Sequence, residues 1–213
     1  MKKKNYFKSA VLFKQKNPLI ITELEKPKIL EKGQVFVKLI KTAICGAQIG
    51  EIGGHKGRDK WLPHCMGHEG YGKIIRTNKY VKTVRQGDHV ILHWRKGTGI
   101  DSVTPSYKSK KGKINSGLVT TFQEYSVVSE NRVTKIKKFS KKNEMLAPLL
   151  GCAIPTAWGI LTKELLIKKN HKILIIGSGG IGITLAINCK IIGLKDITLI
   201  DRYEKKNIHS LRY

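Results

Sequence analysis

The pattern of apolar residues predicts a β-rich first part of the chain. Short apolar-rich runs at 7–13 and 34–40 are separated by prolines and glycines, and the second run alternates its side chains between two faces. Such runs are typical of strands in an antiparallel sheet. Further strands are predicted at 71–77, 90–94, 120–128 and 132–136. We therefore expect residues 1–150 to form a small β domain or barrel.

A different pattern follows and predicts an α/β unit over residues 151–213. Helical spacing, broken near Gly151 and Pro155, precedes a continuous apolar run of the kind found in buried parallel strands. A helix ended by Gly193 and a second buried strand complete the pattern. The predicted strand, helix and strand lie at 172–176, 183–192 and 196–201. This order is one βαβ unit, so the predicted fold class is α/β with a β-rich domain.

The charge of the chain is strongly positive. Its 41 lysines and arginines against 15 aspartates and glutamates give a formal charge of +26, which suits a nucleic-acid or anionic-membrane partner. However, the lysines are scattered through every segment, and no basic strip is interleaved with aromatic residues. The lysine-rich stretch 95–115 predicts a solvated loop. We therefore predict no specific nucleic-acid partner, no membrane partner, and a cytoplasmic protein without a signal segment.

The strongest local motif is the glycine loop GSGGIG at 177–182. Gly177 allows a tight turn, Gly179 lets the backbone approach a pyrophosphate, and Gly182 allows close packing of helix and strand. The helix that begins near Gly180 directs unpaired N–H groups at phosphate. Asp201 follows at the distance where a carboxylate accepts the ribose hydroxyls of NAD. Arg202, directly after Asp201, could accommodate the extra phosphate of NADP, so NADP stays an alternative cofactor.

A second set of residues predicts a zinc site. Taken singly, Cys45 and Cys152 are most simply buried thiols, and His68 a hydrogen-bonded histidine. Together they form the Cys₂His set of a catalytic zinc, which leaves a fourth position for water or substrate. Glu69 follows His68 directly, so we expect it to tune the zinc or to exchange onto it during turnover. The ion would act as a Lewis acid during hydride transfer.

These motifs resemble those of the zinc-dependent medium-chain dehydrogenase/reductase family, the alcohol and sorbitol dehydrogenase group. The matching stretches are Cys45-Gly46, GHEGYG at 67–72, 151–159, and the glycine loop. The resemblance implies a GroES-like β-barrel catalytic domain at 1–150 and a partial Rossmann domain at 151–213. It also implies one catalytic zinc, NAD or NADP, and an alcohol, polyol or carbonyl substrate. Thr156 would lie against the nicotinamide.

The chain departs from this family pattern in several places. Ala47 replaces a serine or threonine that relays the alcohol proton, and His55 is a candidate substitute. Many members of the family bind a structural zinc with four closely spaced cysteines. The stretch 95–118 contains no cysteine, so we predict no structural zinc. Cys65 and Cys189 are expected to pack in the core. The family's Rossmann domain has six strands and this chain supplies two, which predicts a truncated chain.

The sequence is therefore compatible with three functions. The first is a zinc- and NAD(P)-dependent oxidoreductase, with a second copy or a complementing C-terminal fragment as its protein partner. The second is a non-catalytic nucleotide- or zinc-binding remnant, favoured by the missing strands and by Ala47. The third is a basic nucleic-acid-binding protein, favoured by net charge alone. Hydride transfer separates the first two, and the salt dependence of DNA binding tests the third.

Overall fold

The computed structural model describes residues 5–203. Contacts divide the chain into two compact units, Met1–Gly151 and Cys152–Tyr213. The strands of the first unit are β1 (Tyr6–Leu12), β2 (Ile20–Glu25), β3 (Gln34–Thr42), β4 (His64–Cys65), β5 (Gly70–Thr77), β6 (His89–Leu92), β7 (Ser106–Ser109), β8 (Gly112–Asn115), β9 (Tyr125–Ser129) and β10 (Val133–Ile136). Helix α1 (Gly46–Ile52) precedes β4, and 3₁₀ turns cover Glu130–Arg132 and Ala147–Gly151.

The strands of the first unit form two sheets. One closes into a barrel in the order β1-β2-β7-β8-β4, and the other has the order β10-β6-β5-β3-β9. Strand β3 shows why the sequence folds this way, because its successive side chains point to opposite faces. Phe36 enters the barrel core with Phe7 and Leu24, while Val35 and Val37 enter a second core. The predicted antiparallel β domain is thus observed.

The stretch predicted as a solvated loop contains a hairpin. Strands β7 and β8 pair antiparallel, with Tyr107 opposite Ile114 and Lys108 opposite Lys113. Tyr107 and Ile114 are buried in the barrel core, whereas the lysines of the hairpin are exposed as predicted. The loop prediction was wrong for 106–115, because two apolar side chains on one face suffice for a strand pair when the rest of the barrel covers them.

A second correction concerns the strand predicted at 120–128. Strand β9 begins only at Tyr125. The residues before it form a turn, in which the Gln123 side chain donates to the Thr120 hydroxyl over 2.8 Å. The N–H groups of Thr121 and Phe122 both donate to the carbonyl of Met66. Only an isolated bridge between Gln123 and Ser9 of β1 forms here, so the segment bends before β9 begins.

The second unit contains one βαβ arrangement. Its strands β11 (Lys172–Ile176) and β12 (Asp196–Ile200) are parallel, and helix α3 (Gly180–Ile192) joins them, capped as predicted by Gly193 with a φ of 96°. Helix α2 (Ala153–Gly159) precedes them and continues into a π-helical turn, Ile160–Glu164.

Two expectations about this unit were wrong. Pro155 does not break a helix, because it lies in the first turn of α2, where an N–H has no intrahelical partner. Strand β11 is not buried on both faces: Ile175 is 7% exposed, but Leu174 is 60% and Ile176 79% exposed. In the described part of this unit the sheet has two strands, and the apolar cluster around Leu161 covers one side of them.

The two cysteines assigned to packing lie in the core as predicted. Cys65 is buried in the barrel, accepts a hydrogen bond from the Ser9 hydroxyl over 3.5 Å, and has a pKa that burial raises to about 11. Cys189 is fully buried on α3, and burial raises its pKa as well. Both are therefore protonated thiols that act as small apolar side chains. Within 5–203, no helix has the length and apolar character needed to cross a bilayer.

Candidate functional site

Cys45 and His68 lie on two neighbouring connections of the first unit. Cys45 is the N-cap residue of α1, just after β3, and His68 is in the turn between β4 and β5. Gly67 shapes that turn with a φ of +93°, and a Cβ there would stand 2.9 Å from the backbone nitrogen of Phe122. The turn is therefore open only to glycine, and it fixes the backbone that carries His68.

Cys152 is bonded to the last residue of the first unit. Gly151 ends a 3₁₀ turn that packs against β5 and β6. A Cβ on Gly151 would lie 3.0 Å from the Cα of Glu69 and would overlap the carbonyl of Leu92. The absence of a side chain lets this turn approach the strands closely. The donor atoms of Cys45 and His68 lie within 4.8 Å of each other, and Cys152 is the next residue after this turn.

The donor set fits a zinc ion. Nε2 of His68 is buried and has no hydrogen-bond partner in the described part of the chain, which is costly unless a ligand binds there. Burial, with a smaller effect from the charge of Lys56, lowers the pKa of His68. The imidazole is therefore neutral, as a metal ligand must be. The thiols of Cys45 and Cys152 would complete a Cys₂His set.

Gln48 is a site residue that the sequence reasoning missed. It is 4% exposed on α1, and its side-chain amide contacts Nδ1 of His68. When the amide presents its oxygen, it accepts the Nδ1–H, and Nε2 keeps its lone pair for a metal. The signal in the sequence was a polar residue three positions after Cys45, which shares a helix face with the N-cap.

Glu69 is buried next to this group but is not one of its three members. Its side chain is in the core, 2% exposed, and its carbonyl accepts the Thr42 hydroxyl over 3.0 Å. The backbone of Glu69 is therefore fixed by this hydrogen bond. Its predicted part in tuning or binding zinc stays a prediction. His55, the candidate proton relay, is exposed on the turn after α1.

The glycine loop in the second unit has the geometry of a phosphate cradle. Gly177 has a φ of +103°, and its N–H donates to the Ile200 carbonyl over 2.7 Å. A Cβ on Gly182 would overlap the carbonyl oxygen of Gly177, whereas a Cβ on Gly179 or Gly180 would meet nothing within 4 Å. The loop therefore packs tightly at Gly182. At Gly179 and Gly180 it leaves open space beside the N-terminus of α3.

Asp201 is tied to this loop. Its Oδ2 accepts the N–H of Ser178 over 2.8 Å and the Ser178 hydroxyl over 3.0 Å, and its Oδ1 accepts the N–H of Tyr203 over 3.0 Å. Ser178 was not assigned a role from the sequence. Thr156, the predicted nicotinamide contact, is half-buried on α2, and its N–H donates to the Cys152 carbonyl over 3.0 Å.

Comparison with known proteins identifies relatives over most of the chain. Residues 31–138 match the family model of the alcohol dehydrogenase GroES-like domain. Alcohol dehydrogenase 6 of Peromyscus maniculatus is 28% identical over 223 aligned positions, which cover 93% of this chain and 58% of that protein. The rat alcohol dehydrogenase 6 is also 28% identical, over 91% of this chain and 57% of its own length.

Solved structures share the fold. An alcohol dehydrogenase zinc-binding domain protein from Burkholderia ambifaria superposes with a TM-score of 0.85 at 20% identity, covering 97% of this chain and 61% of its own. Benzyl alcohol dehydrogenase from Acinetobacter calcoaceticus gives 0.80 at 22% identity, covering 96% and 61%. The chain therefore spans about three fifths of the length of the relatives it matches.

Proposed function

Because the chain belongs to the zinc-dependent medium-chain alcohol dehydrogenase family, we propose that it carries the zinc and nucleotide sites of an oxidoreductase. The reaction would be hydride transfer between an alcohol or polyol and NAD(P), or its reverse. The observation that carries this proposal is the convergence of the Cys45 and His68 donor atoms within 4.8 Å, with Cys152 directly after Gly151, which packs against Glu69. Two connections of the first unit that are separate in sequence thus present metal-ligand side chains to one point.

Each residue of the proposed metal site would have its own role. Cys45 and Cys152 would hold the ion as thiolates, and His68 would hold it through the Nε2 that has no other partner among the described residues. With its amide oxygen turned to Nδ1, Gln48 would fix the tautomer and ring orientation of His68. Glu69 stays buried beside this set, where a carboxylate can adjust the charge of the site. When bound, zinc supplies Lewis-acid polarisation of the substrate oxygen.

The second unit would bind the dinucleotide as a partial Rossmann domain. The open backbone at Gly179 and Gly180 leaves room for a pyrophosphate at the N-terminus of α3. Asp201 is held in place by Ser178, so its carboxylate can accept ribose hydroxyls, and its charge opposes the extra phosphate of NADP. NAD is therefore the favoured cofactor. Thr156 would contact the nicotinamide.

The substrate and the partners follow from the same proposal. A small alcohol or carbonyl compound is the proposed substrate class, and a second copy of the chain is the proposed protein partner. The alternative, a non-catalytic zinc- or nucleotide-binding remnant, is favoured by Ala47, which has no hydroxyl to move the alcohol proton. A cytoplasmic location stays a prediction.

Zinc content tests the proposal directly. The purified full chain should lose about one equivalent of zinc per chain on Cys45→Ala, because three protein ligands define this site. Cys65→Ser is the matched control: its thiol lies in the barrel core, and its zinc content should not change. Cobalt in place of zinc should show sulfur-to-metal charge-transfer absorption that only Cys45→Ala weakens.

Two outcomes contradict parts of the proposal. If Cys45→Ala loses no zinc, the residues named here do not hold the ion. If zinc is bound but the chain transfers no hydride from NADH to an aldehyde, the remnant is the correct interpretation.

A further inference from the structure

A second cluster of side chains that could bind a metal lies in the first unit. It shares no residue with the Cys45, His68 and Cys152 set. Ligand atoms of Glu51, Asp59 and His64 lie within 4.8 Å of one another. Nε2 of His64 is 2.7 Å from Oδ2 of Asp59 and 3.8 Å from Oε1 of Glu51. Glu51 is on α1, His64 begins β4, and Asp59 lies in the segment between them.

The hydrogen bonds of His64 determine where its lone pair points. Its side chain is 7% exposed, and Nδ1 lies 2.8 Å from the Cys65 carbonyl. A carbonyl only accepts, so Nδ1 carries the hydrogen. Without a metal, a proton on Nε2 donates to Asp59 over 2.7 Å. Without that proton, Nε2 directs its lone pair at two carboxylates, and a divalent cation can take the place of the proton. Metal-binding histidines commonly donate their other N–H to a backbone carbonyl.

The segment that carries Asp59 is held in position by side chains. Oδ1 of Asp59 accepts the N–H of Trp61 over 2.8 Å, which directs Oδ2 at His64. The Gln15 amide accepts the N–H of Asp59 over 3.1 Å and donates to the Gly57 carbonyl over 2.9 Å. The carboxylate is thus oriented before any ligand arrives, which lowers the entropy lost on binding.

The charges around the cluster also favour a cation. The chain has 41 lysines and arginines for 15 aspartates and glutamates. Within 5–203, however, the ion pairs of Asp59 and Glu51 are with His64 and with no lysine or arginine. Lys14, Arg58 and Lys60 line the same cleft as Asp59, yet none of them approaches to ion-pair distance. Two carboxylates and a buried imidazole are left to balance one another.

We propose that Glu51, Asp59 and His64 form a second site for a divalent cation of the zinc class. One imidazole nitrogen and two carboxylate oxygens are an N/O donor set that zinc accepts. The site differs in place and in ligands from the four-cysteine lobe whose absence was predicted. A cation here links α1 to the 57–62 segment and to β4. Because α1 also carries Gln48, the link stabilises the helix that orients His68.

The test removes the first site and then the second in the full chain. In a Cys45→Ala background, the metal-free protein is titrated with zinc calorimetrically, and about one equivalent should bind with three protein ligands. Adding Asp59→Asn should abolish this binding or weaken it at least tenfold, since asparagine keeps the bond from Trp61 but not the charge. Asp101→Asn is the matched control, because Asp101 pairs only with exposed Lys96 in the described ion pairs.

Further readouts separate this site from the first one. Glu51→Gln changes a half-buried residue on α1, so it should weaken zinc binding without unfolding the barrel. Cobalt in the Cys45→Ala background should bind without sulfur-to-metal absorption. If that background binds no zinc, or if Asp59→Asn and Glu51→Gln bind zinc as it does, the second site is refuted. The first site is judged separately, by the zinc lost on Cys45→Ala itself.

Discussion

Glu130 carries the largest single stability effect that we predict for the first unit. The residue is 1% exposed. Its Oε1 accepts the N–H groups of Lys82 and Thr83, each over 2.7 Å, and its Oε2 accepts the N–H of Ile100 over 2.9 Å. One buried carboxylate thus satisfies three backbone donors from two loops.

The substitution Glu130→Gln keeps the shape and removes the charge. The amide oxygen can still serve Lys82 and Thr83, but the NH₂ group then faces the N–H of Ile100. Two hydrogen bonds to a charged group weaken by about 1 kcal/mol each, and one buried N–H loses its acceptor at about 1–3 kcal/mol. The lower cost of burying an amide offsets part of this. We expect the free energy of unfolding to fall by about 2–4 kcal/mol.

The pH dependence has a definite sign. Burial raises the pKa of Glu130, but the N–H groups of Ile100, Thr83 and Lys82 lower it further, so it lies below the ordinary value of 4.5. The stabilisation is therefore fully present above the unfolded-state pKa and is lost as the pH falls through the native pKa. In Glu130→Gln this part of the acid sensitivity should disappear.

Urea unfolding in a Trp158→Phe background measures the effect. The remaining tryptophans, Trp61 and Trp94, then both report on the first unit. Glu23→Gln on β2 is the matched control, because Glu23 is exposed, and it should change stability by less than about 0.5 kcal/mol. A loss in Glu130→Gln no larger than in this control would refute the assignment of a stabilising, ionised carboxylate.

Two further predictions test packing. Gly182→Ala should weaken NADH binding and destabilise the second unit by about 1–3 kcal/mol, because its Cβ would overlap the Gly177 carbonyl. Gly180→Ala is the control, since its Cβ meets nothing within 4 Å. Fluorescence titration with NADH compares the two variants, and an equal loss of affinity in both would contradict this prediction. Tyr107→Phe should cost about 1–3 kcal/mol in urea unfolding, since the N–H of Val127 loses an acceptor at 2.8 Å; an unchanged midpoint would show that another group replaces it.

The strands with clear alternation could be predicted from the sequence, and the barrel hairpin could not. Val35 and Val37 alternate with Phe36 strongly enough to indicate two buried faces. Tyr107 and Ile114 are single apolar residues among lysines, and their burial depends on partners elsewhere in the chain. Local pattern reveals a strand only when several of its own residues enter the core.

The site divides in the same way. Cys45, His68 and Cys152 could be named from residue type and from motifs, although their spacing alone does not bring them together. Gln48 and His64 could not be assigned, because a polar residue in a helix and a histidine in a short strand are common in any sequence. What distinguishes them is the contact each makes, Gln48 with the ring of His68 and His64 with Asp59, which only the fold supplies.

The exposed aliphatic side chains of the second unit affect how readily copies of this protein associate. Leu174 and Ile176 on β11 and Ile191 on α3 are each at least 60% exposed, in a chain whose formal charge is +26. Electrostatic repulsion between copies acts over about 10 Å at 0.1 M salt but only about 3 Å at 1 M. Added salt therefore removes the barrier that keeps these surfaces apart, and sulfate also strengthens apolar contact. We therefore expect copies of this protein to associate more readily as the ionic strength rises.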